Sequence, residues 1–274
     1  MSAAVVTGAA RGLGFEIARG LARRGLAVNV TDVDAEAAEA AARRIGARAW
    51  ASALDVRDAA ACRAAAADAA ERAGPLAVWV NNAGLLVTGH VWEHDDALRR
   101  TLFEVNAMGT INGTLAALEL MRPLDRGHVI NVVSLAGLGA PPGEALYAAT
   151  KHGAMAFTLG ALADLRRSGS RGVRLSAVCP DGVWTPMLHD RLDDPDAAPS
   201  FSGVLLRPED VADRVVALLD RPRVVLTIPR WRGAFVRLFD ALPGLSARIM
   251  PVWMRDARRR QRHWKRRIES GDGP

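Results

Sequence analysis

The chain has 274 residues, enough for one large domain or two small ones. Its formal net charge is +6, but residues 255–267 contain eight Lys or Arg and one Asp, a net +7, so the rest is close to neutral. A nucleic-acid-binding domain would spread its positive charge over a folded face, and we predict no such domain. Two cysteines are too few for a disulfide framework, and no apolar run approaches the roughly 18 residues of a membrane span. We therefore expect a cytoplasmic location.

The first predicted element is an apolar strand over residues 3–7, followed by a glycine-rich turn and a helix over 15–24. The turn contains Gly8, Gly12 and Gly14. Glycines let the backbone approach a ligand closely, and a helix N-terminus offers free N–H groups and a positive dipole, which together suit a dinucleotide pyrophosphate. The spacing is G-x3-G-x-G rather than the commonest G-x-G-x-x-G, so the turn alone does not identify the ligand.

The second predicted strand, 27–31, ends in Asp32, eighteen residues after Gly14. A carboxylate at this place accepts hydrogen bonds from both ribose hydroxyls of an adenosine and repels a 2′-phosphate. We therefore predict NAD rather than NADP as the cofactor. Arg11 leaves NADP open as the alternative, because it could bind a 2′-phosphate, whereas Val33 supplies no second cation.

The remaining chain continues to alternate strands and helices up to residue 228, which predicts a single α/β layered structure. We expect a catalytic domain over 1–228, with a substrate lid at about 186–206, and a helical, basic C-terminal extension over 229–274. The further predicted strands cover 47–54, 78–81, 128–133, 174–178 and 224–228.

Tyr147 is the only tyrosine, and Lys151 follows it by four residues. On a helix, residues at i and i+4 share one face, so the phenol and the ammonium can enter the same cavity. A tyrosine with an ordinary pKa of about 10 is a poor base at neutral pH. A nearby cation favours the phenolate, so we predict that Lys151 lowers the pKa of Tyr147 toward the working range.

Together these segments resemble the short-chain dehydrogenase/reductase family over roughly residues 3–228. Residues 81–84, Asn-Asn-Ala-Gly, match a turn that this family keeps beside its cofactor, and Ser134 lies thirteen residues before Tyr147, as its catalytic serine does. Residues 180–187 match its P-G-x-x-x-T-P-M turn, except that Asp181 stands where glycine is usual. The resemblance implies a three-layer, doubly wound Rossmann fold with a seven-stranded parallel sheet.

The resemblance also implies site residues and their roles. Tyr147 would exchange a proton with the substrate oxygen, and Ser134 would hydrogen-bond that oxygen. Lys151 would also bind the nicotinamide ribose, and Asn106 would hold a water on a proton path to solvent. The implied cofactor-binding residues are Gly8, Arg11, Gly12, Leu13, Gly14, Asp32, Val33, Asp55, Val56, Asn82, Ala83, Gly84, Tyr147, Lys151, Pro180, Gly182, Val183 and Thr185.

The implied function is an NAD-dependent oxidoreductase that interconverts a secondary alcohol and a ketone. We predict a lipophilic substrate, such as a steroid, retinoid or polyketide, from apolar candidates for the pocket lining: Leu85, Leu86, Val87, Leu138, Trp184, Met187 and Leu188. Three alternatives stay open: an NADPH-dependent carbonyl reductase, a non-catalytic NAD-sensing or scaffold protein, and a membrane-associated lipid-binding protein. We expect no metal, and we interpret the H-x-x-E-H stretch at 90–94 as a loop on the pocket rim.

The C-terminal extension is apolar at i, i+3, i+4 and i+7 over residues 235–242 and strongly basic after residue 254. We predict that it packs across the substrate side or a neighbouring subunit, with membrane-surface contact as the alternative. The resemblance further implies a homodimer, or a homotetramer, assembled through the helices that carry Asn106 and Tyr147. The small or apolar residues expected on their outer faces are Ala116, Leu120, Ala156 and Leu159.

Overall fold

Seven parallel strands form one sheet in the computed structural model, which describes residues 2–270. The spatial order is β3-β2-β1-β4-β5-β6-β7, so the direction of chain progression reverses between β1 and β4. The strands are β1 Ala3–Thr7, β2 Ala27–Asp32, β3 Ala49–Ala53, β4 Leu76–Asn81, β5 Gly127–Val132, β6 Val173–Pro180 and β7 Val225–Ile228. The predicted seven-stranded parallel sheet is therefore confirmed, with each predicted strand end within three residues of the observed one.

Helices cover both faces of the sheet, and two of them extend beyond its last strand. They are α1 Gly12–Arg23, α2 Ala35–Ile45, α3 Ala59–Ala73, α4 Asp96–Phe103, α5 Gly109–Met121, α6 Ala145–Arg167, α7 Pro186–His189, α8 Pro208–Val216, α9 Arg230–Asp240 and α10 Pro243–Glu269. Helix α1 begins three residues earlier than the sequence predicted, so Gly12 and Gly14 belong to its first turn. No helix in residues 2–270 is long and apolar enough to cross a membrane.

The core is divided into two main apolar layers by the sheet. One layer packs β1, β2 and β4 against α1, α2 and α8, and the other packs the opposite faces against α3, α5 and α6. All five residues of β1 are buried, as expected for a parallel strand covered on both faces. The alanine-rich helices α2 and α3 begin at aspartate caps, since Asp34 and Asp58 accept hydrogen bonds from first-turn N–H groups.

A buried polar chain fixes α6, the helix that carries Tyr147 and Lys151, against the sheet. The Asn81 side chain in β4 donates to the Asn131 side chain in β5 over 2.8 Å, and Asn131 donates to Thr158 Oγ1 in α6, also over 2.8 Å. Buried amides leave little freedom to slide, because each lost hydrogen bond would leave an unsatisfied group. These hydrogen-bonded side chains therefore fix the rotation of α6 about its own axis, below the carboxyl edge of the sheet.

The C-terminal extension packs on the segment between β6 and α8. Between β6 and α8 the chain forms α7 and a 3-10 segment, Pro195–Phe201, within the predicted lid. The Gln261 side chain in α10 donates to the carbonyl of Asp194 over 2.7 Å, and Trp264 packs against an apolar cluster that includes Leu188 and Phe201. The helical extension is thus confirmed, and it packs on the segment that we predicted as the lid. Residues 271–274, which the prediction included, lie outside the described residues.

Asp181 occupies the position in the turn at 180–187 where glycine is usual, and it forms a buried ion pair with the extension. Its Oδ2 accepts from Arg232 Nε of α9 over 3.0 Å, and the two side chains are 5% and 9% exposed. Arg232 Nη2 also donates to Ser202 Oγ of the lid over 3.0 Å. Burial raises the pKa of Asp181, and the charge of Arg232 opposes that shift. The pair therefore joins the end of β6, the lid and α9 at one buried point.

We predict that Arg232→Met lowers the free energy of unfolding by about 3–5 kcal/mol, because it leaves a buried carboxylate without its cation. The double variant Asp181→Asn/Arg232→Met should recover most of this loss. Urea unfolding at neutral pH measures both. Arg43→Met is the matched control, because Arg43 and Glu39 form an exposed pair worth less than about 1 kcal/mol. If the double variant is as unstable as the single one, the loss in the free energy of unfolding comes from the packing of the Arg232 side chain instead.

Candidate active site

The turn between β1 and α1 brings backbone close to backbone at the carboxyl edge of the sheet. Gly8 has φ +61°, and a Cβ there would lie 2.7 Å from Ala83 Cα. A Cβ on Gly14 would lie 2.3 Å from the carbonyl oxygen of Gly8. Side chains are therefore excluded at both positions, and the first turn of α1 is open to the adjoining cavity, as a pyrophosphate requires.

The end of β4 is tied to this turn by one amide. Asn82 Nδ2 donates to the carbonyls of Thr7 and Gly8 over 3.0 and 2.9 Å, and the Asn82 N–H donates to Thr7 Oγ1. These bonds hold the β1 and β4 ends together at the point where the strand order reverses. Ligands of open α/β sheets bind at such a point.

Two acidic residues follow β2 and β3 at one end of the cavity. Asp32 accepts from the N–H groups of Ala10, over 3.1 Å, and of Asp34, so its carboxylate is held beside the glycine turn. Asp55 forms a bidentate pair with Arg57, whose hydrogen bonds lower the pKa of that carboxyl. Arg57 also lines the cavity and was missed from the sequence, because no motif residue marked it.

Tyr147, Lys151 and Ser134 come together at the other end. Lys151 Nζ lies 5.6 Å from the centre of the Tyr147 ring and donates to the carbonyl of Val132 over 3.2 Å. Ser134 lies two residues after β5, and its Oγ accepts from the Ala136 N–H over 3.1 Å. All three side chains line the cavity. This places a phenol, a hydroxyl and an amine around one space.

The pKa of Tyr147 in the protein alone differs from the prediction. Burial raises it, with the negative charge of Glu144 as the next cause, while the nearby Ser134 hydroxyl opposes the rise. Burial likewise lowers the pKa of Lys151 to about 8. The sequence argument considered the attraction between phenolate and ammonium but not the cost of removing both charges from water.

Asn106 lies apart from the cavity lining. It sits in a π-helical turn, Glu104–Met108, between α4 and α5. Its side chain accepts from the Leu85 N–H over 2.8 Å and donates to the Leu85 carbonyl and to Thr150 Oγ1. The amide thus fixes the loop after β4 to α6, and the role of Asn106 in holding a water on a proton path stays a prediction. π-Helical turns in α-helices occur frequently at functional sites.

The predicted cofactor residues line one continuous cavity of about 830 Å³, with the single exception of Gly14, which is packed behind Gly8. Of the apolar candidates for the substrate end, Leu85, Leu86, Met187 and Leu188 line it. The other three do not: Leu138 packs with Val133 and Val236, Trp184 stacks on His189 with ring centres 3.8 Å apart, and Val87 lies elsewhere in the loop.

The sequence analysis missed two parts of the cavity wall. One is Glu144, a fully buried carboxyl that accepts from Ser200 Oγ of the lid over 2.6 Å and whose pKa burial raises to about 7. Its position three residues before Tyr147, one helical turn away, was the available signal. The other part is the extension, which contributes Phe235, Val236, Phe239, Ile249, Met250 and Trp253.

Within residues 2–270, no three His, Cys, Asp or Glu side chains are grouped so that they could hold a metal ion. The stretch from His90 to His94 forms a loop on the surface, where the His90 ring stacks on Trp92 at 4.9 Å.

Comparisons with known proteins agree with this geometry. The family model described as short chain dehydrogenase matches residues 2–196. The chain is 37% identical to 1-deoxy-11-beta-hydroxypentalenate dehydrogenase of Streptomyces exfoliatus, over 82% of each chain. A short chain dehydrogenase/reductase from Burkholderia phymatum, solved in complex with NAD, is 29% identical with a TM-score of 0.81 and covers 89% of this chain and 95% of its own.

A second solved structure is a variant of actinorhodin polyketide ketoreductase with NADPH. It is 31% identical, has a TM-score of 0.74 and covers 83% of this chain and 95% of its own. The two structural relatives thus carry different nicotinamide cofactors. The matched family, the parallel sheet and the cavity agree: the chain belongs to the short-chain dehydrogenase/reductase family of NAD(P)-dependent oxidoreductases.

Proposed function

We propose that the protein is an NAD-dependent oxidoreductase that interconverts a lipophilic secondary alcohol and its ketone. The convergence of Ser134, Tyr147 and Lys151 on one cavity carries this proposal. A sensor or scaffold that only bound NAD would have no use for a half-buried phenol and a buried amine around the same space. Direct support would be NADH formation from lipophilic secondary alcohols at alkaline pH, screened over steroids, retinoids and cyclic alcohols.

The other end of the cavity fits a dinucleotide. The backbone cradle at Gly8, which any Cβ would fill, and the first turn of α1 suit a pyrophosphate. Asp32 would bind the adenosine ribose, and Asp55 and Val56 would lie beside the adenine. Bound NAD would supply the hydride acceptor. The residues that would hold its nicotinamide half are Tyr147, Lys151, Pro180, Gly182, Val183 and Thr185.

The proton chemistry follows from the three side chains. Tyr147 would take the proton of the substrate hydroxyl, and Ser134 would hold the substrate oxygen in line with the phenol. Because burial opposes the phenolate, the reaction in the oxidative direction needs added positive charge near Tyr147. The Lys151 ammonium is the nearby cation that the chain provides, and because burial lowers its pKa to about 8, this charge is lost as the pH rises through that value. Alcohol oxidation releases a proton, and the bound oxidised nicotinamide would keep its positive charge at high pH, so oxidation should be favoured at alkaline pH.

Replacing Tyr147 with Phe removes the acid–base hydroxyl and keeps the ring. We expect turnover to fall by about 10²–10⁴-fold, with the dissociation constant for NADH nearly unchanged. Steady-state kinetics and a fluorescence titration with NADH measure the two quantities. Retention of most of the activity would rule out Tyr147 as the acid–base group, and a matching loss of NADH binding would indicate a structural role instead.

The preference for NAD is supported by the carboxylate of Asp32, which is held at the cavity by two backbone N–H groups. Arg11 and Arg57 also line the cavity, and they favour the alternative, an NADPH-dependent carbonyl reductase. The negative charge of Asp32 would lie close to a 2′-phosphate, whereas Arg57 is already paired with Asp55. We therefore rank NAD first.

Asp32→Ala tests this ranking. A charged hydrogen-bond partner is worth about 1.5–3 kcal/mol, so the ratio of kcat/KM for NAD to that for NADP should fall by about tenfold or more. Asp34→Ala is the matched control, because Asp34 caps α2 and does not line the cavity. A wild-type enzyme that already prefers NADPH would refute the NAD assignment.

Glu144 controls the acid–base group through its charge. Its pKa is raised to about 7 by burial, so the carboxyl is ionised at alkaline pH. Its negative charge then disfavours the phenolate of Tyr147. The hydrogen bond to Ser200 places this carboxyl between the lid and the reacting side chains.

Glu144→Gln keeps a hydrogen-bonding group at this position and removes the charge. Since one cause of the raised pKa of Tyr147 disappears, the rising limb of kcat/KM for alcohol oxidation should move to lower pH. A pH profile with saturating NAD measures the shift, and Glu71→Gln, on the exposed side of α3, is the control. An unchanged limb, or one moved to higher pH, would contradict the role assigned to Glu144.

We also propose that the protein is cytoplasmic and assembles at least as a homodimer through α5 and α6. Two buried free thiols suit a reducing compartment. The exposed apolar residues here are Leu115 on α5, Leu159 on α6 and Met108 at the end of the π-helical turn before α5, and a symmetric partner would cover them. One predicted contact is corrected: Ala116 is 2% exposed and packs in the core beneath α3, so it faces away from any partner.

A further inference from the structure

The C-terminal extension presents a row of exposed apolar side chains. On α9 and the following turn, Trp231, Phe235, Leu238 and Leu242 recur every three or four residues, and each is between 39% and 60% exposed. Helix α10 continues the row with three more: Leu245, Ile249 and Val252. Single exposed apolar residues are ordinary, but a contiguous row of seven marks an interaction surface. We call these seven residues the apolar row.

The same face of α10 becomes basic after Val252. Arg255, Arg259, Arg262 and Arg266 follow at the same helical spacing, and all four are exposed. In the described part of the chain none of them forms an ion pair, whereas Lys265 and Arg258 pair with Asp193 and Asp196 of the lid. The inner face of α10 is thus used for packing on the body, and the outer face carries unpaired positive charge.

The charge of the extension argues for a negatively charged partner. Residues 229–270 contain twelve Lys or Arg and three Asp or Glu, a net +9. A second copy docked symmetrically through this surface would bring two such charges together, which disfavours self-association here. A helix that combines exposed apolar residues with many arginines suits the interface of an anionic membrane, into which the apolar side chains insert while the basic ones meet headgroups.

The apolar row is continuous with the wall of the catalytic cavity. Phe235 and Ile249 both belong to the row and line the cavity. A membrane surface covering the row would therefore meet the cavity at these two side chains. If the substrate is lipophilic, a point that rests on the proposed function, it could pass from the lipid phase into the cavity with little exposure to water.

From these observations we infer that the outer face of α9 and α10 is a peripheral docking surface for anionic lipid bilayers. The apolar row inserts at the headgroup level, and Arg255, Arg259, Arg262 and Arg266 bind the lipid phosphates.

Sedimentation of the full-length protein with vesicles tests this surface without any activity assay. The vesicles are made of phosphatidylcholine alone or of phosphatidylcholine with phosphatidylglycerol. We expect binding to the anionic vesicles only, weakened by added salt. Each basic residue near an anionic surface is worth roughly fivefold in affinity, so Arg255→Gln/Arg259→Gln/Arg262→Gln should bind roughly a hundredfold more weakly. Leu245→Asp/Val252→Asp should abolish binding.

Two controls separate the surface from general effects of charge and folding. Arg63→Gln/Arg122→Gln/Arg126→Gln removes the same charge from exposed positions elsewhere, and Leu124→Asp places an acid at another exposed leucine. Both should bind vesicles like the wild type, and all variants should keep the wild-type affinity for NADH.

The inference is overturned by absent vesicle binding, by equal losses of vesicle binding in the controls, or by binding to duplex DNA but not to vesicles. Association of protein copies that Leu245→Asp/Val252→Asp abolishes, without vesicle binding, would also overturn it.

Loss of the proposed function would leave this result intact. A protein that binds vesicles and lacks alcohol dehydrogenase activity refutes the proposed substrate class alone. A protein that has alcohol dehydrogenase activity but does not bind vesicles refutes the docking surface alone.

Discussion

The close approach of the β1 and β4 ends is the constraint on which the rest of the site depends. One amide, Asn82, satisfies carbonyls of Thr7 and Gly8 that the sheet leaves open at its carboxyl edge. Only glycine at position 8 permits the backbone approach that these bonds require. With those strand ends fixed, the first turn of α1 faces one half of the cavity and the loop after β4 faces the other.

Burial is the second organising influence, and it acts against the charges that the chemistry needs. Lys151 and Glu144 are buried and Tyr147 is half-buried around one space, and desolvation biases each toward its neutral form. Such a site fixes the positions of its reacting groups, while their protonation states can still change when a ligand binds. Charge brought in by a ligand therefore has a large effect on protonation, because little water is present to screen it.

Much of the fold and part of the site could be predicted from the sequence, because both depend on local patterns. Patterns within a few residues predict the apolar strands, the glycine turn at Gly8 and the shared helix face of Tyr147 and Lys151. Contacts between distant segments gave no such signal. The pairing of Asp181 with Arg232 spans fifty-one residues, and the part played by α9 and α10 in the cavity wall depends on how the chain returns after β7. The side-chain partners of Asn106 and the raised pKa of Tyr147 likewise follow from three-dimensional burial, which periodicity does not report.

The ion pair between Asp181 and Arg232 has a thermodynamic consequence. It couples the residue at the start of the turn after β6 to the first turn of the extension, so the order of one segment contributes to the order of the other. Linkage is reciprocal: whatever free energy a ligand gains by tightening the turn is also available to hold α9 in place. The extension and the turn then behave as one cooperative unit, and detachment of α9 from the body would weaken ligand affinity at the turn as well as at the part of the cavity wall that α9 itself supplies.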